Sequence, residues 1–227
     1  MSKKKIRMSS EAAYVLGILL IAFGNSLLEK ASFGMSMVVA PAYLVYLKLS
    51  ETFSFVTFGM ACYAVEGILL IILMIIMRRF KLSYILSFVT AVIYGFVVDG
   101  FMALLSLVEV YGIVARILFF VPGVLTVTMG VAFMFHTYLA PEAYDLFVKE
   151  LCDRFGFNTG RCKTTYDICS LIISAALTFI FFGGIKGLGV GTVICALFNG
   201  TLIGLYSHFM DKRCQFSDRL KLRRFFE

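Results

Sequence analysis

Four polar side chains lie inside long apolar stretches of the sequence, where they are candidates for ion binding or proton transfer. Glu66 stands near the centre of one stretch, with no charged residue within ten positions on either side. Asp99 lies in the next stretch, and Asn25 and Asn199 lie in the first and the last. A polar group in hydrocarbon costs several kcal/mol unless it finds a partner, water or a ligand. We therefore predict that these four residues bind an ion or a small molecule.

The chemistry of these residues indicates which ligands they would accept. Glu66 and Asp99 are both acidic, so a cation or a coupled proton is favoured over an anion. A structural interpretation stands beside the functional one, because a buried carboxyl group can serve only as a hydrogen-bonded link between helices. The same alternative holds for Asn25 and Asn199, since asparagine often joins membrane helices without binding any ligand.

The sequence contains no recognisable motif for catalysis or for cofactor binding. Serine and histidine are too scattered for a catalytic triad, and the phosphate-binding pattern G-x-x-x-x-G-K-[ST] is missing. The six cysteines include no C-x-x-C pair, so a metal site has no support. The net charge of +7 lies in tails and short loops, which does not favour nucleic-acid binding. We expect neither an enzyme nor a nucleic-acid-binding protein, and no cofactor or metal.

Membrane helices are the elements that must position the four polar residues. Hydrophobic residues make up 60% of the chain and charged residues 15%, against roughly half and a quarter in soluble domains. Six stretches have about the 20 residues that a bilayer crossing needs. They cover residues 12–28, 52–77, 82–107, 113–138, 168–185 and 188–210. The fold class that follows is an all-α membrane protein.

The basic residues predict how these helices are oriented. With the N-terminus inside, the outer side holds Lys30, Lys48, Arg116 and Lys186, and all others of the 21 Lys and Arg residues lie inside. Lys and Arg collect on the cytoplasmic side of membrane proteins. We therefore expect basic cytoplasmic tails at 1–11 and 211–227. The stretch 12–28 is longer than the apolar region of a usual signal peptide, so we expect a retained helix.

The two halves of the chain share a pattern. Placing Lys81 on Lys186 also places Gly95 on Gly200. Each half then contains three spans, and because three is odd, the second half would enter the membrane upside down, as in many secondary transporters. The alternative is that membrane helices resemble one another at low identity. The predicted inverted repeats cover residues 12–107 and 113–210.

Each half also carries a further segment between its first two spans. Residues 31–51 are too apolar for an ordinary loop, and we expect a short re-entrant or interfacial helix there. In the second half, Pro141 and Gly156 bracket an amphipathic helix. We predict that this helix lies along the inner membrane surface, with a gate that moves with the second repeat as the alternative. The predicted membrane-facing stripe is Tyr144, Phe147, Val148, Leu151 and Phe155, and the residues expected to face away are Glu142, Asp145, Lys149, Glu150 and Asp153.

Two short motifs resemble those of a known family. Residues 31–36 read Ala-Ser-Phe-Gly-Met-Ser, and residues 189–192 read Gly-Val-Gly-Thr. Together with the two-fold pattern they resemble the YczE/YyaS/YitT group of bacterial integral membrane proteins. The resemblance implies a multi-pass protein of the bacterial inner membrane with a transport-related role and no agreed substrate. The Pro-Trp-Asp-like cluster that commonly follows the serine in that group is replaced here by Met-Val-Val at 37–39.

The sequence as a whole predicts a transporter of a small solute, with coupling to a cation or a proton. The site would lie between the repeats, with Glu66 and Asn199 nearest the membrane centre and Asn25 and Asp99 further out. A membrane-embedded substrate-binding or accessory subunit of a partner complex is the alternative. The expected partners are the lipid bilayer and a small-molecule or ion ligand, and a homodimer is compatible with a chain of this size.

Overall fold

The computed structural model describes residues 6–156 and 159–218, and within these ranges it contains eight helices and two short strands. Residues 1–5 and 219–227, which are parts of the predicted basic tails at 1–11 and 211–227, lie outside the described residues. The helices are α1 (Ser10–Ala31), α2 (Ala40–Ser50), α3 (Phe58–Met77), α4 (Leu82–Ser106), α5 (Gly112–Phe135), α6 (Ala143–Phe155), α7 (Thr159–Phe182) and α8 (Val190–Arg213). The strands are β1 (Ile6–Ser9) and β2 (Cys214–Ser217).

Six helices in the described part of the chain are long and apolar enough to cross a membrane, namely α1, α3, α4, α5, α7 and α8. The predicted number of candidate membrane helices is therefore confirmed, and the chain has the helices of a multi-pass membrane protein. The predicted starts and ends differ at some helices. α3 begins at Phe58 rather than at residue 52, because the Thr57 side chain accepts a hydrogen bond from Met60 N at 3.2 Å and caps the helix there.

The centre of the bundle is formed by α1 and α5, which run antiparallel. Their backbones come close at two points: a Cβ added to Gly24 would lie 2.9 Å from Gly123 O, and one added to Gly130 would lie 2.8 Å from Gly17 O. Small residues allow membrane helices to approach this closely. A side chain at any of these glycines would push α1 and α5 apart.

Both described ends of the chain meet at one end of the bundle. β1 pairs in parallel with β2, so that Ile6 lies opposite Cys214 and Ser9 lies opposite Ser217. We call this the inner end of the bundle and the opposite one the outer end. The arrangement agrees with an even number of spans, because an odd number would place the two strands at opposite ends.

The last two helices of each half pack differently. α3 lies directly on α4, and a Cβ added to Gly95 would meet Gly59 O at 2.9 Å. The repeat aligns Gly95 with Gly200 of α8, and no atom of the described residues lies within 4 Å of a Cβ added to Gly200. Within the described ranges, α7 packs on α2 and α6, whereas α8 packs on α5. The second half is therefore more open than the first.

α2 is a half-length helix that begins inside the bundle. Ser170, near the middle of α7, donates a hydrogen bond from its Oγ to Met37 O at 2.7 Å just before α2 starts. Pro41 stands in the first turn, where its missing N–H costs nothing. The helix then runs to the outer end, where Lys48 Nζ lies 5.8 Å from the centroid of the Phe182 ring. The predicted short helix in this segment is thus present.

α6 is the second half-length helix, and it runs toward the opposite end. It begins beside the middle of α3 and ends where Arg154 Nη1 donates to Ile76 O, near the inner end of α3. Gly156 closes it in the left-handed conformation with φ 67°, as the sequence predicts. The structure thus packs α6 along the inner half of α3.

Candidate functional site

Glu66 lies at the junction between α3 and the start of α6. Its side chain is fully buried, and Oε2 accepts a hydrogen bond from Ala143 N at 3.2 Å. The first N–H groups of a helix have no partner within the helix, and a carboxyl group placed there is favourable. Oε1 has no hydrogen-bond partner among the described residues. Glu66 therefore anchors the start of α6 through Oε2, and its Oε1 is left as a buried acceptor that could bind a ligand or a proton.

The backbone leading into α6 is held in place by hydroxyl groups of α4. Ser87 Oγ donates to Pro141 O at 2.6 Å, and Thr90 Oγ1 lies 3.3 Å from Ala140 O. Non-helical backbone at membrane depth is tolerated only where protein buries it and satisfies its polar groups. These bonds fix the start of α6 beside Glu66 and explain why the helix can begin inside the bundle.

A second carboxyl group lies near Glu66 and was missed by the sequence interpretation. Glu142 is the N-cap residue of α6, directly before Ala143, and its carboxyl group lies within electrostatic range of Glu66. Neighbouring carboxylates do not both ionise easily, so such a group tends to hold a proton or attract a cation. The prediction placed Glu142 on an outward face. The available signal was its position directly after Pro141, at the entry to the half-helix.

Three tyrosines complete the surroundings of Glu66. Tyr94 from α4, Tyr144 from α6 and Tyr166 from α7 all lie within electrostatic range of its carboxyl group. Tyr144 is buried and its hydroxyl has no hydrogen-bond partner in the described ranges. Its ring centroid lies 6.4 Å from that of Tyr166. Tyr144 was predicted to face the membrane, but the structure turns it into the bundle because α6 packs on α3 and α7.

Asn25 joins this cluster through Tyr94. Asn25 Nδ2 donates to Tyr94 Oη at 2.8 Å, and both side chains are buried. Asn25 Oδ1 has no partner within the described part of the chain. Two of the four predicted site residues, Asn25 and Glu66, are thus linked by Tyr94, which bonds to Asn25 and lies within electrostatic range of Glu66. The sequence interpretation did not single out Tyr94.

Asp99 lies apart from the Glu66 site, beside the N-terminus of α3. Its Oδ2 accepts from Thr57 Oγ1 at 2.6 Å and its Oδ1 accepts from Gly59 N at 2.7 Å. Asp99 thus links α4 to the N-terminus of α3, about two helical turns from Glu66. This is the helix-linking role that the sequence left open as the alternative, and a role in ligand binding stays a prediction.

Asn199 is not brought to Glu66 by any described contact. It lies on α8, which packs on α5, and its Oδ1 is buried without a hydrogen-bond partner among the residues described. The repeat aligns Asn199 of α8 with Tyr94 of α4, so the two residues occupy corresponding positions in the two halves. A binding role for Asn199 stays a prediction.

The far end of α6 is fixed by an ion-pair cluster that we call the inner clamp: Arg79, Lys81 and Glu150. Lys81 Nζ lies 2.5 Å from Glu150 Oε1, and Arg79 Nη2 lies 3.1 Å from Oε2. The Glu150 side chain is only 9% exposed. Burial raises the pKa of Glu150, but the hydrogen bonds and charges of Lys81 and Arg79 outweigh it and hold the pKa below its ordinary value. The prediction that Glu150 faces away is wrong, because these cations draw it inward.

The end of α2 is fixed by a corresponding cluster, the outer clamp: Lys48, Glu51 and Lys186. Glu51 Oε1 lies 3.2 Å from Lys186 Nζ and its Oε2 lies 3.0 Å from Lys48 Nζ. These side chains are 42–50% exposed. Hydrogen bonds from Lys48 and Lys186 lower the pKa of Glu51. Lys81 and Lys186, which the sequence aligned, thus each hold the half-helix of the other half.

The two motifs behind the family resemblance contact each other at the outer end. Gly191 N donates to Phe33 O at 2.8 Å, which joins the turn at 189–192 to the segment at 31–36. Gly34 has φ 100°, and a Cβ added to it would lie 2.5 Å from Gly189 N. Glycine is therefore required at residue 34 both by the backbone conformation and by the space.

Comparison with known proteins places the chain in a family. A family model matches residues 8–208, and the chain belongs to that family of unknown function, DUF6198. No curated protein and no solved structure matches the chain. The match does not connect the chain with the YczE/YyaS/YitT group, so that resemblance stays a prediction.

Proposed function

We propose that this member of a family without an assigned function is a secondary transporter of a small solute, coupled to a proton or a cation at Glu66. The observation that carries the proposal is a fully buried carboxyl group at mid-length of a spanning helix, with one oxygen unpartnered among the described residues. A carboxyl group in that position is costly, so a functional use accounts for it.

The contact between Glu66 and α6 supplies the coupling step. An ionised carboxylate binds the Ala143 N–H strongly, whereas a protonated or cation-bound one binds it more weakly. Loading Glu66 therefore loosens the start of α6. The far end of α6 is held by the inner clamp, so release of the start turns α6 into a gate on the inner side.

The two halves act as inverted repeats in this proposal. The glycine contacts between α1 and α5 support it, because Gly17 of α1 contacts Gly130 of α5 and Gly24 of α1 contacts Gly123 of α5. Each helix therefore contributes two glycines seven residues apart, and the first glycine of one helix contacts the second glycine of the other. A two-fold axis in the membrane plane relates such contacts, and inverted-repeat transporters carry their sites near that axis. α2 and α6 would then be the outer and inner gates.

The orientation in the membrane is part of the proposal. We place the inner end in the cytoplasm and the protein in a bacterial inner membrane, because basic residues collect at the inner end and on the tails. Reporter fusions at Met1 and at Glu227 should both report a cytoplasmic location. A periplasmic signal from either fusion would contradict this orientation.

The test of the coupling role uses proteoliposomes with a pH-sensitive dye inside, to which a panel of amines, amino acids and sugars is added. We expect at least one solute to drive a protein-dependent change of internal pH. Glu66→Gln keeps the shape of the side chain and its acceptor oxygen but removes the titration, so the solute-driven change should be lost. Glu109→Gln is the matched control, because Glu109 is an exposed glutamate of the α4–α5 loop.

Two results would count against coupling to a proton at Glu66. One is a full signal from the Glu66→Gln protein at equal reconstitution. The other is a signal no larger than that of empty liposomes for every solute, from protein that remains folded.

An accessory subunit is the second candidate, and the openness of α8 favours it. Among the described residues, no atom lies within 4 Å of a Cβ added to Gly200 or Gly204, and large apolar side chains such as Leu197 are exposed beside them. A partner helix could pack closely on such a face. A stoichiometric membrane partner after purification in mild detergent, with flux only in its presence, would support this function instead.

A further inference from the structure

We propose that the Glu66 site takes a small amine cation, ammonium or a short alkylammonium, in preference to a metal ion or an anion. The inference rests on the proposed function, since it names the ligand of the same site. It is carried by the chemistry of two buried oxygens without a partner among the described residues, on Glu66 at the start of α6 and on Asn25 beside Tyr94, and of a set of aromatic rings.

The unpartnered oxygens indicate a ligand that donates hydrogen bonds. Glu66 Oε1 and Asn25 Oδ1 are buried acceptors without a donor among the described residues. Buried polar atoms normally have a partner, so each of these two oxygens points to a missing donor. An alkylammonium group carries N–H donors and a positive charge, and the Glu66 carboxylate would bind it through a charge-assisted hydrogen bond.

The aromatic rings provide the second part of the site. Tyr94, Tyr144 and Tyr166 lie within electrostatic range of Glu66, and Phe147 adds a ring 5.9 Å from Tyr166. A cation near aromatic faces is attracted by their negative charge density, and this attraction is strongest where water is excluded. Aromatic rings beside a carboxylate therefore provide two attractive interactions for an amine cation.

A metal ion fits this environment less well. Hard cations such as Ca²⁺ take six or more oxygen ligands, whereas the site offers two orphan acceptors and the Tyr144 hydroxyl. In the described part of the chain, no group of three or more His, Cys, Asp or Glu residues could hold a metal ion. The aromatic rings would supply nothing that a hydrated metal ion could use.

An anion is disfavoured by the local charge. The start of α6 carries the positive end of a helix dipole, which by itself would attract anions. Glu66 already occupies it, and Glu142 adds a further carboxyl group beside Glu66. An anion would therefore meet like charges inside a medium of low dielectric constant.

The experiment measures the thermal unfolding of the purified full chain in nanodiscs at constant ionic strength. Millimolar methylammonium chloride should raise the melting temperature by about 3 °C or more, since a ligand that binds only the folded state stabilises it. Sodium chloride at the same concentration should leave it unchanged. Tetramethylammonium, which has no N–H donor, should give a smaller shift than methylammonium. An equal shift with sodium chloride would overturn the proposal.

Two tyrosine variants test the role of the ring. Tyr144→Phe keeps the ring and should retain most of the methylammonium shift, whereas Tyr144→Leu should lose at least half of it. Glu66→Gln should abolish the shift, and the Glu109→Gln control should keep it. A full shift in either the Tyr144→Leu or the Glu66→Gln protein would overturn the proposal.

The outcome is separable from that of the transport assay. If methylammonium gives no shift but Glu66 is needed for flux of another solute, the ligand assignment fails and the proposed transport function stands. If methylammonium binds in a Glu66-dependent way but no solute crosses the membrane, the site is an amine-binding site of a non-transporting protein.

Discussion

The half-helices α2 and α6 occupy corresponding places in the two halves, but they are anchored by different interactions. α6 begins on the carboxyl group of Glu66 and ends in the buried inner clamp around Glu150. α2 begins after a neutral hydrogen bond from Ser170 to Met37 O and ends in the exposed outer clamp. Both anchors of α6 therefore include a buried carboxyl group, whereas α2 has one neutral anchor and one that faces solvent.

This difference indicates which half-helix responds to a proton or a cation. Neutralising Glu66 or Glu150 changes an interaction in a medium of low dielectric constant, where charge matters most. The side chains of the outer clamp are about half exposed, and ion pairs at such positions contribute little and are screened by salt. The two halves thus share an architecture, but we expect the charge-sensitive movement to be concentrated in α6.

The inner clamp should give the largest effect on stability. Glu150→Gln removes the charge that Lys81 and Arg79 share, and we expect the free energy of unfolding to fall by about 2 kcal/mol, since hydrogen bonds to charged groups contribute that much. The measurement is equilibrium unfolding in mixed micelles. Asp153→Asn is the control, because Asp153 is exposed on the same helix and should change little.

The stability difference between wild type and Glu150→Gln should depend on pH. The pKa of Glu150 is lower in the folded protein than in the unfolded chain, so the clamp contributes fully above the unfolded pKa and is lost as the pH falls through the folded pKa. The difference between wild type and Glu150→Gln should therefore shrink in acid. A difference that stays constant down to the acid limit of folding would contradict this assignment.

The neutral anchor of α2 should give an intermediate effect. Ser170→Ala removes the hydrogen bond to Met37 O in a buried site, and we expect a loss of about 1 kcal/mol of unfolding free energy. Because no charge is involved, the loss should be the same at neutral and acidic pH. A loss that changes with pH would show that α2 is coupled to a titrating group after all.

The outer clamp should give the smallest effect. Glu51→Gln breaks an ion pair whose members are about half exposed, so the melting temperature should hardly change, and raising the salt concentration should remove any difference that is seen. The Glu150→Gln difference should persist at the same salt concentration. Equal effects of Glu51→Gln and Glu150→Gln would refute the proposed asymmetry between the two half-helices.

The sequence alone determined the elements that depend on local chemistry. Long uninterrupted apolar runs cross a membrane as helices, so the six candidate spans were readable from the sequence. Their ends were less certain, since α3 begins at Phe58 rather than at residue 52 and α7 at Thr159 rather than at residue 168. Gly156 marks the end of α6 because only glycine adopts the left-handed conformation without strain. The burial of Glu66 was predictable because no charged residue lies within ten positions of it in the sequence.

The tertiary structure decided what each polar side chain meets. Asp99 became the link to the start of α3, and Glu150 turned inward, because their partners Gly59 and Lys81 lie far away in sequence. Helical periodicity ranks faces by hydrophobicity and so assigned Glu150 to the surface. The site around Glu66 likewise depends on α6 beginning inside the bundle, which rests on hydrogen bonds from α4. Burial and pairing are properties of packed helices, so no single stretch of the chain contains them.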